Sequence, residues 1–193
     1  MNVQTRYPTT ADEFLRWNEG REGKREFVRG KVVELMINTS KRHAFIATRL
    51  VLTLSRHLSY PTYTFGSADF AVKTSDGVRY PDVFVDRETP ESKGTDLAAT
   101  EPVFLAEILS PSSYTRDFGE KVTDYAALPS LLHYLVLSQD EPRVWLWSRE
   151  REGAEWTGPA LIAGWQESFA LGGLGFTVDL ADIYDGIIER SEN

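Results

Sequence analysis

Cysteine is missing from all 193 residues, which excludes disulfides and thiolate metal sites. Histidine occurs three times, leaving Asp and Glu as the main stock of metal-binding side chains. No stretch approaches the roughly 20 consecutive apolar residues that a membrane helix needs. The start, from Met1 to Pro8, has no apolar run of the kind found in secretory signals. A cytoplasmic chain without a membrane partner is therefore expected. Positive charge is scarce as well: the net charge is -8, whereas general nucleic-acid binders present basic surfaces. What remains is 41% hydrophobic with 5 Trp, 8 Tyr and 10 Phe, enough for a sizeable core. That length and composition suit a single domain over residues 1–193.

The charge is unevenly spread. Residues 14–57 hold ten Lys/Arg against four Glu, while the chain from Leu58 onward holds ten against 23 acidic residues. A solvated mixed surface explains this adequately. A basic flank on the helix carrying Arg42, Arg49 and Arg56 would instead meet phosphates.

Thr10-Ala11-Asp12-Glu13 has capping-box spacing and predicts a helix over 11–19. Arg25–Arg29 and Lys31–Ile37 read as a hairpin about Gly30. Ala47, Leu50, Val51, Leu54 and Leu58 repeat at helical spacing from Lys41 to Leu58. Strands are expected at Thr62–Phe65, Ala68–Lys73, Val78–Asp86 and Pro102–Leu109, with an exposed loop at Arg87–Thr100. A helix over Thr115–Leu128 and strands Leu131–Leu137 and Arg143–Trp147 follow, with a helical turn near Leu180–Tyr184. This order predicts an α/β (mixed α+β) fold, a mixed central sheet flanked by helices.

Glu107 interrupts the apolar run Val103–Leu109. An unpaired carboxylate in a buried strand costs several kcal/mol or protonates, so Glu107 needs a partner, a cation or a place where the strand emerges. Asp82 heads the run Val83-Phe84-Val85 after Pro81, and alone reads equally as a turn residue. Together, carboxylates on neighbouring strands can present oxygens to Mg²⁺ or Mn²⁺. Lys121, early on the following helix, could overhang them; by spacing alone it reads as an i,i+4 partner of Asp117 on a solvated face. His43 lies in the first turn of the long helix, where capping, metal ligation and phosphate binding are all open to it. Alternation along the hairpin lets Glu26 point inward, while Glu34 suits a solvated position. The C-terminal Trp145, Trp147, Trp156 and Trp165 suit core packing or a dimer interface.

Several segments together resemble the Uma2-like (DUF820) family of the PD-(D/E)xK nuclease superfamily. They are Arg25–Glu34, His43, Tyr80-Pro81-Asp82-Val83, Glu107–Ser113, Arg116–Lys121 with Tyr125, and His133–Val136, in family order over roughly residues 8–150, with 151–193 as a C-terminal extension. The resemblance implies a restriction-endonuclease-like core, a four-stranded mixed sheet between helices. It matches Asp82 and Glu107 to the superfamily's metal-binding acids. Leu109 stands where the superfamily pattern has its Lys, and the related proteins look as though they carry that Lys on the next helix, here Lys121. Glu26 and His43 match prominent family positions and are assigned supporting roles.

The expectation is a Mg²⁺- or Mn²⁺-dependent endonuclease acting on DNA, with Asp82, Glu107 and Lys121 catalytic, the two acids holding the metal, and a homodimer serving the two strands of a duplex. Two alternatives remain at this point: a non-catalytic module of the same fold that binds nucleic acid or protein, and a metal-dependent hydrolase of small phosphoesters.

Overall fold

Capping chemistry starts both long helices. In the computed structural model, which describes residues 7–35, 39–110 and 114–189, the Thr10 hydroxyl accepts from Glu13 N at 3.2 Å and opens α1 (Ala11–Asn18). Next, β1 (Lys24–Val28) and β2 (Lys31–Leu35) make the expected hairpin. Arg29 and Gly30 turn it with φ of 49° and 77°, the left-handed pair a tight two-residue hairpin requires. The expected strand end at Met36 and Ile37 lies outside the described residues. Ser40 then caps α2 (Lys41–Leu54), accepting from His43 N at 3.1 Å and so fixing His43 in the first turn. This helix stops at Leu54, four residues short of the expectation, and continues as turns that still bury Leu58.

After β3 (Tyr63–Ser67) and β4 (Ala71–Thr74), the single strand expected over Val78–Asp86 is two: β5 (Gly77–Arg79) and β6 (Val83–Arg87), in different sheets. Pro81 has no backbone N–H and a fixed φ, so a ladder breaks there and the chain crosses between sheets. Asp82 sits in that crossing. The loop expected at Arg87–Thr100 contains a buried two-residue strand, β7 (Ala98–Ala99), parallel to β4. Next come β8 (Pro102–Ile108), a π-helical turn (Arg116–Glu120) and α3 (Lys121–Ala126). The chain then forms β9 (His133–Leu137), β10 (Arg143–Ser148), β11 (Thr157–Ala163), β12 (Ser168–Leu171), β13 (Phe176–Asp179) and α4 (Leu180–Tyr184).

The main sheet runs β11-β10-β9-β8-β6-β3, mixed because β8 and β9 are parallel. It is wider than the four strands expected. One face, with Val83, Val85, Ala106 and Leu135, packs under Ile46 and Leu50 of α2 and Ile183 of α4. The opposite face, with Phe84, Leu105, Tyr134 and Val136, packs against Tyr125 of α3. A second sheet, β2-β1-β5-β4-β7, packs Phe27 and Val78 on Phe14 of α1. The four indoles take up core positions, partly buried against the two larger clusters. Among the described residues no helix is long and apolar enough to cross a membrane.

His133 opens β9 at 1% exposure, and among the described residues neither ring nitrogen has a hydrogen-bond partner. Burial pulls its pKa from 6.5 down to about 4. Between those values the unfolded chain binds a proton that the folded chain refuses, so stability falls as pH drops across the window and the loss is complete below it. In urea midpoints measured from pH 7 to pH 4, His133 contributes a part that falls with pH. The part due to this residue should vanish in His133→Leu; an unchanged slope there would assign the pH dependence elsewhere.

Candidate active site

Extending the β6–β8 register by one residue past the pair Val83–Ala106 sets Asp82 opposite Glu107. Glu107 shares parity with Leu105 of the α3 side and emerges there, while Asp82, at the bend before β6, also reaches His43 of α2. Asp82 is held from three directions. Its Oδ2 accepts from Ile108 N at 2.9 Å and meets His43 Nε2 at 3.0 Å, while Oδ1 lies 3.9 Å from Lys24 Nζ. Burial pushes this carboxyl up, but the His43 contact, the Ile108 N–H and Lys24 together outweigh it, and the group stays below its ordinary value. It is an anion with one oxygen fully engaged and the other nearly free.

Glu107, 3% exposed, is bound at both oxygens: Tyr125 donates to Oε1 at 3.0 Å, and Lys121 Nζ lies 2.8 Å from Oε2. Burial pushes Glu107 up to about 8, with Asp82 and Asp117 adding to the rise against the pull of Lys121. Burial also acts to discharge Lys121, but Glu107, Asp117 and Glu26 overcome it and hold the ammonium above its usual pKa. The Tyr125 phenol, buried beside Glu107, is held well above 10 and stays a donor.

The π-helical turn explains how Lys121 arrives. Its N–H bonds back to Arg116 O, five residues earlier, and a turn widened in this way rotates the next residues relative to an α-helix. Tyr134 anchors the turn by donating to Asp117 O at 2.9 Å. The Asp117–Lys121 pair forms as spacing suggests, at 3.1 Å, but on a buried face: Asp117 is 1% and Lys121 7% exposed.

Glu26 points inward yet does not reach the Asp82–Glu107 pair directly. Its Oε2 accepts from Arg79 Nη1 at 2.9 Å. Arg79, 2% exposed, also binds Asp124 of α3 at 2.6 Å, so one guanidinium joins the hairpin sheet to the helix carrying Lys121. Glu34 is exposed. Arg42 lies one residue before His43 and pairs with Asp140 at 3.5 Å. Arg49 and Arg56 are drawn instead to Asp182 of α4 and are not brought to the site. Sequence reasoning passed over Arg79, Asp124 and Lys24. The available signal was a cation within an otherwise buried strand, which demands buried acids elsewhere in the chain.

An α+β fold with mixed sheets between helices, bearing two facing acids and a buried lysine, has the form of a nuclease-like fold. The profile of the Uma2 family, described as "Putative restriction endonuclease", matches residues 11–178, and the chain belongs to that family. An uncharacterized protein of Synechocystis sp. is 32% identical over 182 residues, covering 91% of each chain. A second Synechocystis protein, also uncharacterized, is 30% identical over 142 residues, 72% of this chain and 80% of its own. The fold is shared with a crystal structure titled "a putative nuclease belonging to DUF820" from Anabaena variabilis, with TM-score 0.70 and 17% identity, covering 92% of this chain and 98% of that one.

Removing the Arg79 guanidinium would leave Glu26 and Asp124 buried without their cation. Arg79→Met should lower unfolding free energy by about 3–5 kcal/mol, read by urea denaturation. A loss below about 1 kcal/mol, the size of an exposed pair, would refute a buried role.

Proposed function

We propose that the protein is a divalent-metal-dependent nuclease that hydrolyses phosphodiester bonds of DNA at the Asp82–Glu107–Lys121 site. The observation that carries this is two buried acids close enough to interact, Asp82 and Glu107, with the Lys121 ammonium 2.8 Å from Glu107. Glu107 and Asp117 are buried around the Lys121 ammonium, and Asp82 lies beside Lys24 and His43.

The donor set fits Mg²⁺ or Mn²⁺. No group of three or more His, Cys, Asp or Glu converges as a metal cage among the described residues. Mg²⁺, however, is commonly held by one or two carboxylates, with water and substrate phosphate completing its shell. Among the described residues, Asp82 Oδ1 has Lys24 beside it at 3.9 Å, and the Glu107 oxygens retain lone pairs beyond those given to Tyr125 and Lys121. When bound, the ion would polarise the scissile phosphate and acidify water.

The chain's own groups do the rest. His43 and the Ile108 N–H fix the Asp82 carboxylate through one oxygen, Oδ2. Tyr125 orients Glu107. Lys121, held as an ammonium, acts as an electrostatic partner for the negative charge that grows on the phosphate during attack, not as a proton acceptor. Lys24 beside Asp82 contributes positive charge where a strand would approach. The basic stripe expected on α2 is engaged by acids elsewhere: Arg42 by Asp140, and Arg49 and Arg56 by Asp182 of α4.

Nicking of supercoiled DNA in Mg²⁺ or Mn²⁺ tests the reading. Asp82→Asn, Glu107→Gln and Lys121→Met should each reduce the rate by about 100-fold or more, with far-UV circular dichroism retained. Undiminished nicking in all three variants would remove the assignment. Calorimetric Mn²⁺ binding that is lost in Asp82→Asn distinguishes a working site from a non-catalytic module of the same fold.

A further inference from the structure

Two lysines stand at the site with different freedom to move. The Lys121 side chain is 8% exposed, and its ammonium sits 2.8 Å from Glu107 and 3.1 Å from Asp117. Two of its three donors are spent on buried carboxylates, which would be left uncompensated if it turned to a ligand. The Lys24 side chain is 27% exposed, and its ion pair with Asp82 Oδ1 is 3.9 Å long, beyond hydrogen-bond length.

The position of Lys24 follows from alternation along β1. Arg25 and Phe27 face α1, the first over the Trp17 ring at 5.8 Å and the second stacked on Phe14 at 5.5 Å. Lys24 and Glu26 therefore face the other way. Glu26 is buried and held by Arg79, whereas Lys24, at the start of the strand, stands at the rim beside Asp82. It also lines a surface cavity of about 470 Å³, through which a ligand reaches its ammonium. Asp82 thus draws Lys24 to the acids without satisfying it. A phosphate oxygen at about 2.7–2.9 Å would be a stronger partner, because the contact combines charge with a hydrogen bond. Lys24 can turn to such an oxygen without breaking a buried pair.

We infer that Lys24 is the lysine that touches the substrate, donating from Nζ to a non-bridging oxygen of the phosphate placed at Asp82, while Lys121 acts on that phosphate only through its field. The inference rests on the nuclease reading for its choice of ligand, and divides the two cations by role. Lys24 governs binding of the strand. Lys121 governs the rate once the strand is bound.

Fluorescence anisotropy of a labelled DNA duplex, in chelator and over a series of salt concentrations, reads the contact apart from catalysis. Loss of one phosphate contact lowers the slope of log affinity against log salt by about 0.9. Lys24→Met should show that loss with about tenfold weaker binding at low salt, and Lys24→Arg should restore both. Lys121→Met should keep the native slope. Should it fail to fold, Lys24→Met against Lys24→Arg, both at a half-buried position, carries the test. In nicking assays Lys24→Met should raise KM about tenfold with kcat within about threefold, the opposite split from Lys121→Met. A native slope in Lys24→Met, no rescue by Lys24→Arg, the same loss in folded Lys121→Met, or no binding by the native chain would overturn the inference, whether or not nicking is seen. A slope that depends on Lys24 in a chain that never nicks DNA would instead remove the nuclease reading and leave Lys24 as a phosphate contact.

Discussion

A buried ammonium among carboxylates constrains this structure more than any apolar contact. Lys121 is 7% exposed and lies 2.8 Å from Glu107 and 3.1 Å from Asp117. Burying such ions costs several kcal/mol each unless geometry and hydrogen bonding restore it. Every neighbour is arranged accordingly: Tyr125 satisfies the remaining side of Glu107, and Tyr134 secures the backbone of Asp117. The two phenols also meet edge to face at 5.1 Å, so the groups that orient the ions are themselves locked by packing. The sheet contributes through register, because a one-residue slip of β6 against β8 would turn the β6 side chains to the other face and part Asp82 from Glu107.

A second ionic cluster holds the same helix from behind. Arg79 binds Glu26 and Asp124, and Asp124 lies three residues after Lys121, one turn along α3. The short helix therefore carries a cation inward to the main sheet and an anion inward to the hairpin sheet. Six residues of helix have little stability of their own. These two anchors, with Tyr125 in the core, set its position. Gly77 allows the hairpin sheet to close on β1: a Cβ there would stand 1.8 Å from the Phe27 carbonyl oxygen.

Much of this was legible in the sequence, for identifiable reasons. The caps at Thr10 and Ser40, the Arg29-Gly30 turn and the apolar run around Glu107 are local signals, and the elements they predict form nearly in place. What failed needed long-range information. Val78–Asp86 alternates like one strand, but its halves belong to different sheets. Ala98-Ala99 is too short and bland to separate from a polar loop, yet it is buried against β4. β11, exposed along nearly its whole length at the sheet edge, lacks the alternation that marks half-buried strands. Arg49 and Arg56 fall seven and fourteen residues after Arg42, but only the tertiary fold reveals that α4 brings Asp182 to meet them.

Leu109 and Lys121 show why a site of this kind tolerates a lysine that changes its element. Position 109 is two residues beyond Glu107, on the same face of the strand, where a side chain projects toward α3. Here that place is taken by an apolar side chain packed among Phe84, Leu105 and Val136, and it adds to the contacts that seat the helix. The helix then sends Lys121 back across the gap from the opposite side. An electrostatic partner is defined by where its charge ends up, because the Coulomb energy depends on separation and dielectric and not on the backbone of origin. The route through the helix adds a dependence that a strand-borne lysine lacks. The ammonium stays in place only while the π-helical turn and the Arg79–Asp124 pair hold α3, so charge placement in the site is coupled to the docking of the N-terminal hairpin sheet.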